Sequence, residues 1–149
     1  MLNEDMQTLI CNHACGMVAT VNADGTPAVS PKGTFVVIDK ATLAFGHIRS
    51  PGTVRNIAVR ADVEVGFLDV LNRRAVRVSG TAEFIKKADA PDALVDAFKT
   101  TWAEYVPHMA GFVRIAVRKA ELVTTPAYDI GYSEAELRAA NLERLNGLA

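Results

Sequence analysis

The sequence has few cysteines and few histidines, which limits the kinds of site it can build. Its 149 residues include two cysteines, Cys11 and Cys15, and three histidines. A structural zinc site takes four ligands, and a disulfide between these two cysteines would close only a very short loop. We therefore expect no bound metal, and we expect both cysteines to pack along a helix as ordinary thiols.

Net charge and long apolar runs are also lacking. Sixteen basic residues stand against seventeen acidic ones, whereas domains that bind nucleic acid usually carry a basic excess. No segment approaches the roughly 18 apolar residues that span a bilayer, and the acidic start at Met1–Asp5 lacks the basic region of a signal peptide. These features predict a cytoplasmic protein that binds neither nucleic acid nor membranes.

The chain does have enough apolar residues for one folded domain over residues 1–149. Hydrophobic residues make up 50% of it and charged residues 22%, so disorder is not expected. Apolar periodicity and capping signals predict helices over 3–15, from Ser50-Pro51, from Asp89–Asp92 and after Ser133-x-x-Glu136. β-rich runs lie at 17–21, 27–29, 34–38, 42–45, 63–68, 76–84 and 112–123.

Turns link most of these β-rich runs, and this favours antiparallel pairing over a doubly wound α/β fold. Alternation of apolar and polar residues between Val76 and Phe84 predicts a half-buried strand, with Gly80 as a bulge. Closure into a barrel is one way to remove the edges of such a sheet. We expect a mainly β fold: an antiparallel barrel of six to seven strands with peripheral helices.

The first candidate site is the stretch His47–Asn56, where a predicted strand ends and a predicted helix begins. Ser50 stands at the N-cap position and Pro51 at the first helical position. Helix N-termini present unpaired N–H groups and the positive end of the helix dipole, so this stretch is suited to a phosphate. The alternative is that Ser50 only caps the helix and that the arginines are solvated. Further donors in the stretch are Arg49, Thr53 and Arg55.

The second candidate site is the stretch Val29–Phe35. Pro31 cannot donate to the ladder of a central strand, and Gly33 lets another group approach the backbone closely. Such an interruption leaves backbone N–H groups free to meet the edge of a ligand. The alternative is an edge strand with a bulge and no ligand.

Taken together, these stretches resemble the FMN-binding split-barrel family, the pyridoxamine 5′-phosphate oxidase-like proteins. The resemblance runs from about Met17 to Val123. It is carried by Val18-Ala19-Thr20-Val21 with Asp24-Gly25-Thr26-Pro27, Ser30-Pro31-Lys32-Gly33-Thr34-Phe35, Leu43-Ala44-Phe45-Gly46, Arg49-Ser50-Pro51-Gly52-Thr53 with Asn56, and Val78-Ser79-Gly80-Thr81-Ala82-Glu83. Pro126-Ala127-Tyr128-Asp129 and Tyr132-Ser133-Glu134 are similar to the tail of a small bacterial subgroup.

The resemblance implies a homodimer with two FMN sites in clefts at the subunit interface. By position, it places Ser30, Pro31, Lys32, Gly33, Gly46, His47 and Ile48 beside the isoalloxazine and ribityl chain. It places Arg49, Ser50, Thr53, Arg55 and Asn56 at the phosphate. Many relatives carry a lysine just before or at the Thr53 position, and here Arg49 or Lys32 would have to supply that cation.

The resemblance also implies an FMN-dependent oxidoreductase acting on an unknown small molecule. The alternatives are a non-catalytic flavin-binding or stress-related redox protein and a split barrel that binds haem or a deazaflavin. No catalytic acid, base or nucleophile can be identified from the sequence. Aromatic residues of the partner subunit are expected to close the cleft, and Arg114 and Arg118 either reach it or face solvent. The aromatic candidates are Trp102, Phe112, Tyr128 and Tyr132.

Overall fold

Seven strands form one antiparallel sheet in the computed structural model, which describes residues 1–149. In chain order they are β1 (Gly16–Val21), β2 (Pro27–Lys32), β3 (Phe35–Asp39), β4 (Thr42–His47), β5 (Asp62–Asp69), β6 (Arg74–Lys86) and β7 (Gly111–Thr124). Across the sheet the order is β2-β1-β5-β6-β7-β4-β3, and every neighbouring pair is antiparallel.

The two outermost strands of this sheet are consecutive in the chain. β2 ends at Lys32 and β3 begins at Phe35, so only two residues join the opposite edges of the sheet. A seven-stranded sheet can satisfy that short connection only by curling until its edges meet. The predicted mainly β, antiparallel split barrel is confirmed, and the seam between β2 and the β3–β4 hairpin is where the barrel stays open.

Four helices accompany the sheet, as predicted: α1 (Glu4–Asn12), α2 (Pro51–Val59), α3 (Asp92–Trp102) and α4 (Glu134–Asn146). The predicted capping box of α4 is present, with Ser133 and Glu136 bonded to each other's backbone N–H groups. α1 ends at Asn12, three residues before its predicted end, and Cys11 and Cys15 are both exposed free thiols. The expectation that they pack along the helix is therefore wrong. None of the four helices is both long enough and apolar enough to traverse a membrane.

The apolar core divides into two clusters. The larger cluster fills the barrel and is covered by α1. It includes Phe35 and Phe67, whose rings pack edge to face with their centroids 4.7 Å apart. The smaller lies between α3 and the β4–β7 side of the sheet, with Phe98 against Phe112 at 4.7 Å. The α2 helix packs against β1 and β6, and its first turn lines a cavity together with Ser30 of β2.

A bulge lies at the predicted point, but the extra residue belongs to β7: Ser79 pairs with Lys119 and Gly80 with Val117, so Arg118 is left unpaired. The prediction that Gly80 itself forms the bulge in β6 is therefore wrong. The register with β7 shifts between Ser79 and Gly80. A Cβ at Gly80 would lie 2.6 Å from the carbonyl oxygen of Ala116, so the close approach of the two strands requires glycine at this point.

Candidate functional site

A groove lies at the seam of the barrel, between the end of β2, the end of β4 and the first turn of α2. It consists of two adjoining cavities of about 410 Å³ and about 300 Å³, and both are lined by Arg49 and Ser50. We call the larger one the strand cavity, because Pro31–Thr34 and Gly46 line it. We call the smaller one the helix cavity, because the first turns of α2 line it.

Ten of the twelve predicted site residues line this groove, although they come from two distant stretches. Those in the strand cavity are Pro31, Lys32, Gly33, Gly46, Ile48, Arg49 and Ser50. Those in the helix cavity are Ser30, Arg49, Ser50, Thr53 and Asn56. His47 and Arg55 line neither cavity.

The helix cavity presents hydrogen-bond donors that have no partner within the protein. Ser50 occupies the N-cap position of α2, but its hydroxyl makes no capping bond. The first backbone bond of the helix runs from the Val54 N–H to the Ser50 carbonyl, at 3.1 Å, which leaves the N–H groups of Gly52 and Thr53 unpaired. Ser50 and Thr53 are buried residues, 8% and 6% exposed. Two amides, two hydroxyls and a positive dipole end are the donor set of an oxyanion site.

Arg49 is the cation best placed for that site. It is exposed, makes no ion pair with a carboxylate and lines both cavities. Lys32 lines only the strand cavity. Arg55 lines neither cavity, although one of its guanidinium nitrogens lies 3.8 Å from where a Cβ on Gly52 would be. Of the cations left open by the sequence, Arg49 is therefore the one beside the α2 N-terminus.

Asn56 fastens α2 to the sheet. The residue is 5% exposed, and its Nδ2 donates to Oγ1 of Thr20 and to Oδ1 of Asn22, both at 3.0 Å. Both donor hydrogens are thereby used within the protein. The position of the first turn of α2, and hence of the unpaired amides, depends on this contact with β1 and the turn that follows it.

Lys32 is a buried cation in the wall of the strand cavity. It is 8% exposed, its ammonium donates to the Ser30 hydroxyl, and no carboxylate lies within ion-pair distance. Burial lowers the pKa of Lys32 below its ordinary value. Burial, and then the charge of Lys32, lower the pKa of His47. The His47 ring packs edge-on against Phe84 at 5.3 Å, with its Nδ1 buried and unbonded.

The strand cavity also presents free backbone groups. The N–H groups of Gly33 and Thr34 make no backbone hydrogen bond, while the Thr34 hydroxyl accepts from the Gly46 N–H at 3.1 Å. β2 is an edge strand, as one of the two interpretations of Pro31 required. Its pairing with β1 is regular from Pro27 to Lys32, so the bulge expected with that interpretation is absent.

The four aromatic residues predicted to close the cleft of the partner subunit differ in burial and in contacts. Phe112 is fully buried in the core of its own chain, so its predicted place at a partner's cleft is wrong. Trp102 packs against the smaller core cluster and donates from Nε1 to the Phe35 carbonyl at 2.9 Å. Tyr128 donates its hydroxyl to the Asn72 carbonyl. Tyr132 alone among the four is largely exposed, at 54%.

A larger cavity, of about 670 Å³, lies away from the groove, near the start of α3. Its charged groups include Arg114 and Glu83, which form an ion pair with each other. Arg118 likewise pairs with Asp62, and neither arginine lines the groove. Because its arginine already has a carboxylate partner, this cavity lacks the unpaired donors that mark the groove as the better candidate.

Thr20, Asn22 and Gly52 line the groove but were assigned no site role from the sequence, although Gly52 lies within the first candidate stretch. The turn chemistry at Asn22–Gly25 contained the signal for two of them. It sets the register of the β1–β2 hairpin, which pairs Thr20 with Ala28 and so brings the end of β1 beside the β2 residues already singled out.

Comparison with known proteins agrees with this fold. A family model described as pyridoxamine 5′-phosphate oxidase matches residues 2–125. No curated protein matches the chain. HupZ of Group A Streptococcus is 26% identical over 84% of this chain and 96% of its own, with a TM-score of 0.72. An F420 reductase is 25% identical over 83% of this chain and 100% of its own, with a TM-score of 0.60. An FMN-binding protein from Syntrophomonas wolfei shares the fold at 14% identity, covering 80% and 84%, with a TM-score of 0.65.

Proposed function

Because the chain belongs to the pyridoxamine 5′-phosphate oxidase family, we propose that its groove binds FMN and that the protein is a flavin-dependent oxidoreductase. The observation that carries this proposal is the set of unpaired donors at the start of α2, next to a longer cavity along the barrel seam. FMN has a phosphate monoester that suits the donors at the start of α2 and a flat polar ring that suits the longer cavity. When bound, FMN supplies the redox chemistry, and the protein binds and orients it.

The helix cavity is assigned to the phosphate. The Gly52 and Thr53 amides and the Ser50 and Thr53 hydroxyls donate to its oxygens, and the Arg49 guanidinium balances its charge. Asn56 contributes by holding α2 in place, since both of its donor hydrogens are occupied within the protein. Arg55 stays outside this assignment, because it lines neither cavity.

The strand cavity is assigned to the ring. The free amides of Gly33 and Thr34 are suited to the carbonyl edge of an isoalloxazine. Lys32 is the one charged group buried in this wall. His47 packs against Phe84 and does not line this cavity, so it is not assigned a contact with the ring.

A homodimer is the second part of the proposal, because the outer face of the sheet beside the groove carries exposed apolar side chains on either side of the ion pairs of Arg77 with Glu64 and Glu121. Directly paired residues of an antiparallel sheet point to the same side, which places Pro31 next to Met17 and Leu68 in line with Val123. Met17, Leu68 and Val123 are 44%, 54% and 42% exposed. We call this patch the outer sheet face. A second copy seated on it would border Pro31 and close the groove.

The solvent-accessible area of the single chain also supports a homodimer. The accessible surface is 8,631 Å², whereas a monomer of this mass exposes roughly 7,400 Å². The difference, about 1,200 Å², is larger than the ~800 Å² that each partner buries in an interface of standard size.

Purification and FMN titration test the proposal. The purified protein should be yellow or should take up one FMN per chain, with quenching of the flavin fluorescence. Thr53→Glu places a carboxylate among the phosphate donors and should abolish that uptake. Thr101→Glu, at an exposed position of α3, makes the same chemical change away from the groove and should bind FMN as the wild type does. Equal flavin content in both variants would place the phosphate elsewhere.

A deazaflavin is the second candidate, because an F420 reductase is among the structural relatives at 25% identity. Titration with F420 in parallel with FMN separates the two, since whichever binds more tightly at equal protein concentration is the better ligand. No observation favours haem: His47 and His108 do not line the groove, and a purified protein with flavin bands and no Soret band would remove that option.

Catalysis is tested separately from binding. NAD(P)H oxidation by the FMN-loaded protein, over a panel of small electron acceptors, should show turnover if the protein is an oxidoreductase. FMN binding without turnover for any donor or acceptor would favour the non-catalytic, redox-carrying alternative. The groove presents no side-chain pair arranged as a nucleophile and base, so the flavin would be the reacting group.

A further inference from the structure

Lys32 is buried without a counter-ion, and this combination sets it apart from the other cations of the chain. It is the sole lysine or arginine among the buried residues, and its only partner is the neutral hydroxyl of Ser30. An ammonium removed from water without an anion nearby is costly, so such groups in native proteins usually have a charged partner. The protein on its own does not provide one here.

The lining of the strand cavity around Lys32 contains no negatively charged group. The strand cavity is completed by backbone amides, by the Thr34 hydroxyl and by Arg49, none of which carries negative charge. His47 is the nearby titratable side chain, and Lys32 itself disfavours its cationic form. The anion that would balance Lys32 must therefore come with a ligand.

The groove thus has two separate positions suited to negative charge, one at the start of α2 and one at Lys32. The phosphate of FMN satisfies the first. The second is matched only after reduction, because uptake of two electrons and one proton converts the neutral oxidised ring into an anionic reduced ring. We propose that Lys32 makes the strand cavity selective for the reduced, anionic ring over the oxidised ring. This inference rests on the proposed function.

A direct role for Lys32 at the phosphate is the competing explanation. Lys32 is absent from the lining of the helix cavity, whereas Arg49 lines it. A phosphate role would also weaken oxidised and reduced FMN equally, because the phosphate is the same in both. The two explanations therefore differ in a ratio of affinities.

The test measures dissociation constants for oxidised FMN and, under anaerobic conditions with dithionite as reductant, for reduced FMN. An opposite charge beside a titratable group stabilises its charged form by about 1–3 pKa units. Lys32→Met should therefore lower the preference for reduced over oxidised FMN at least tenfold, and Lys32→Gln should do the same. A tenfold loss corresponds to a midpoint potential about 30 mV lower for the two-electron couple. Lys32→Arg should keep most of the preference.

Lys40→Met is the matched control, because it removes a lysine charge from an exposed turn and should leave the ratio unchanged. A second readout needs no flavin. Since Lys32 is buried without an anion, Lys32→Met should make the flavin-free protein more resistant to urea at neutral pH.

The outcomes separate this inference from the proposed function. If the wild type binds FMN and Lys32→Met and Lys32→Gln retain its reduced-to-oxidised ratio, Lys32 does not select the redox state, and FMN binding still stands. If both variants weaken the two forms equally, Lys32 serves the phosphate or the fold, and the inference is again overturned. If the wild type binds no FMN in either state, the proposed function itself fails.

Discussion

The contact of Asn56 with β1 offers a sharp test of how the candidate site is built. Asn56→Ala removes two hydrogen bonds, to Thr20 and to Asn22, each 3.0 Å long. It also leaves the hydroxyl of Thr20, a residue that is 5% exposed, without its donor. The variant therefore loses the link between α2 and the β1–β2 hairpin while the rest of the helix sequence stays the same.

The size of the effect follows from the number of bonds and their burial. A hydrogen bond contributes about 1 kcal/mol net, and an unsatisfied buried group adds to the loss. We expect the free energy of unfolding to fall by about 2–3 kcal/mol. For a chain of this size that corresponds to a melting temperature lower by roughly 4–12 °C. FMN affinity should fall as well, because the unpaired amides of Gly52 and Thr53 are held by the same helix.

Urea unfolding followed by circular dichroism, at fixed protein concentration, measures the stability change. Arg55→Ala is the matched control, since Arg55 is the exposed neighbour on the same helix and should change stability by less than about 0.5 kcal/mol. If Asn56→Ala unfolds within about 0.5 kcal/mol of the wild type, the contact does not hold α2 to the barrel.

Three further predictions concern the stability of the protein at acidic pH, the close approach of β6 to β7 at Gly80, and the proposed dimer. Burial alone would raise the pKa of Asp69, but hydrogen bonds from the following turn and the charge of His13 outweigh it and lower that pKa. Asp69→Asn should therefore cost about 1–2 kcal/mol at neutral pH, and its difference from the wild type in urea unfolding should narrow as the pH falls below about 4. Gly80→Ala should cost about 2–4 kcal/mol in the same assay, because its Cβ would lie 2.6 Å from a backbone oxygen of β7; an unchanged midpoint would mean that the strands separate easily. Leu68→Arg should yield monomers in sedimentation and lose FMN, whereas Leu148→Arg, at a position 78% exposed near the C-terminus, should do neither.

Local signals in the sequence were sufficient for most of the secondary structure. The Ser133 capping box, the Ser50-Pro51 helix start and the alternation through β6 each act over a few residues, so they can be recognised without knowing the fold. Their physical causes, the pairing of helix-end amides and the two-residue period of a strand, are local as well. The sequence predicted side-chain burial less well, because burial depends on contacts between segments that are far apart in the chain. Cys11 and Cys15 turned outward, and Phe112 was buried in its own core.

In the candidate site, too, local sequence identified the residues but not their contacts. Residue types and the family resemblance were enough to single out the stretches that contain Lys32 and Arg49. The interaction partners of each side chain were not determined in that way, because they depend on how the edges of the sheet meet. Asn56 donates a hydrogen bond to Thr20, which lies 36 positions earlier in the sequence, and the His47 ring packs against Phe84.

The sequence by itself therefore determined an antiparallel, mainly β domain with a helix start suited to a phosphate. The tertiary structure alone decided that Arg49 and not Lys32 lines the helix cavity, and that Lys32 is buried without a counter-ion. The physical reason is that burial and ion pairing depend on the packing of segments far apart in the chain. Here the curl that brings β2 to the β3–β4 hairpin creates the cavity and removes Lys32 from water.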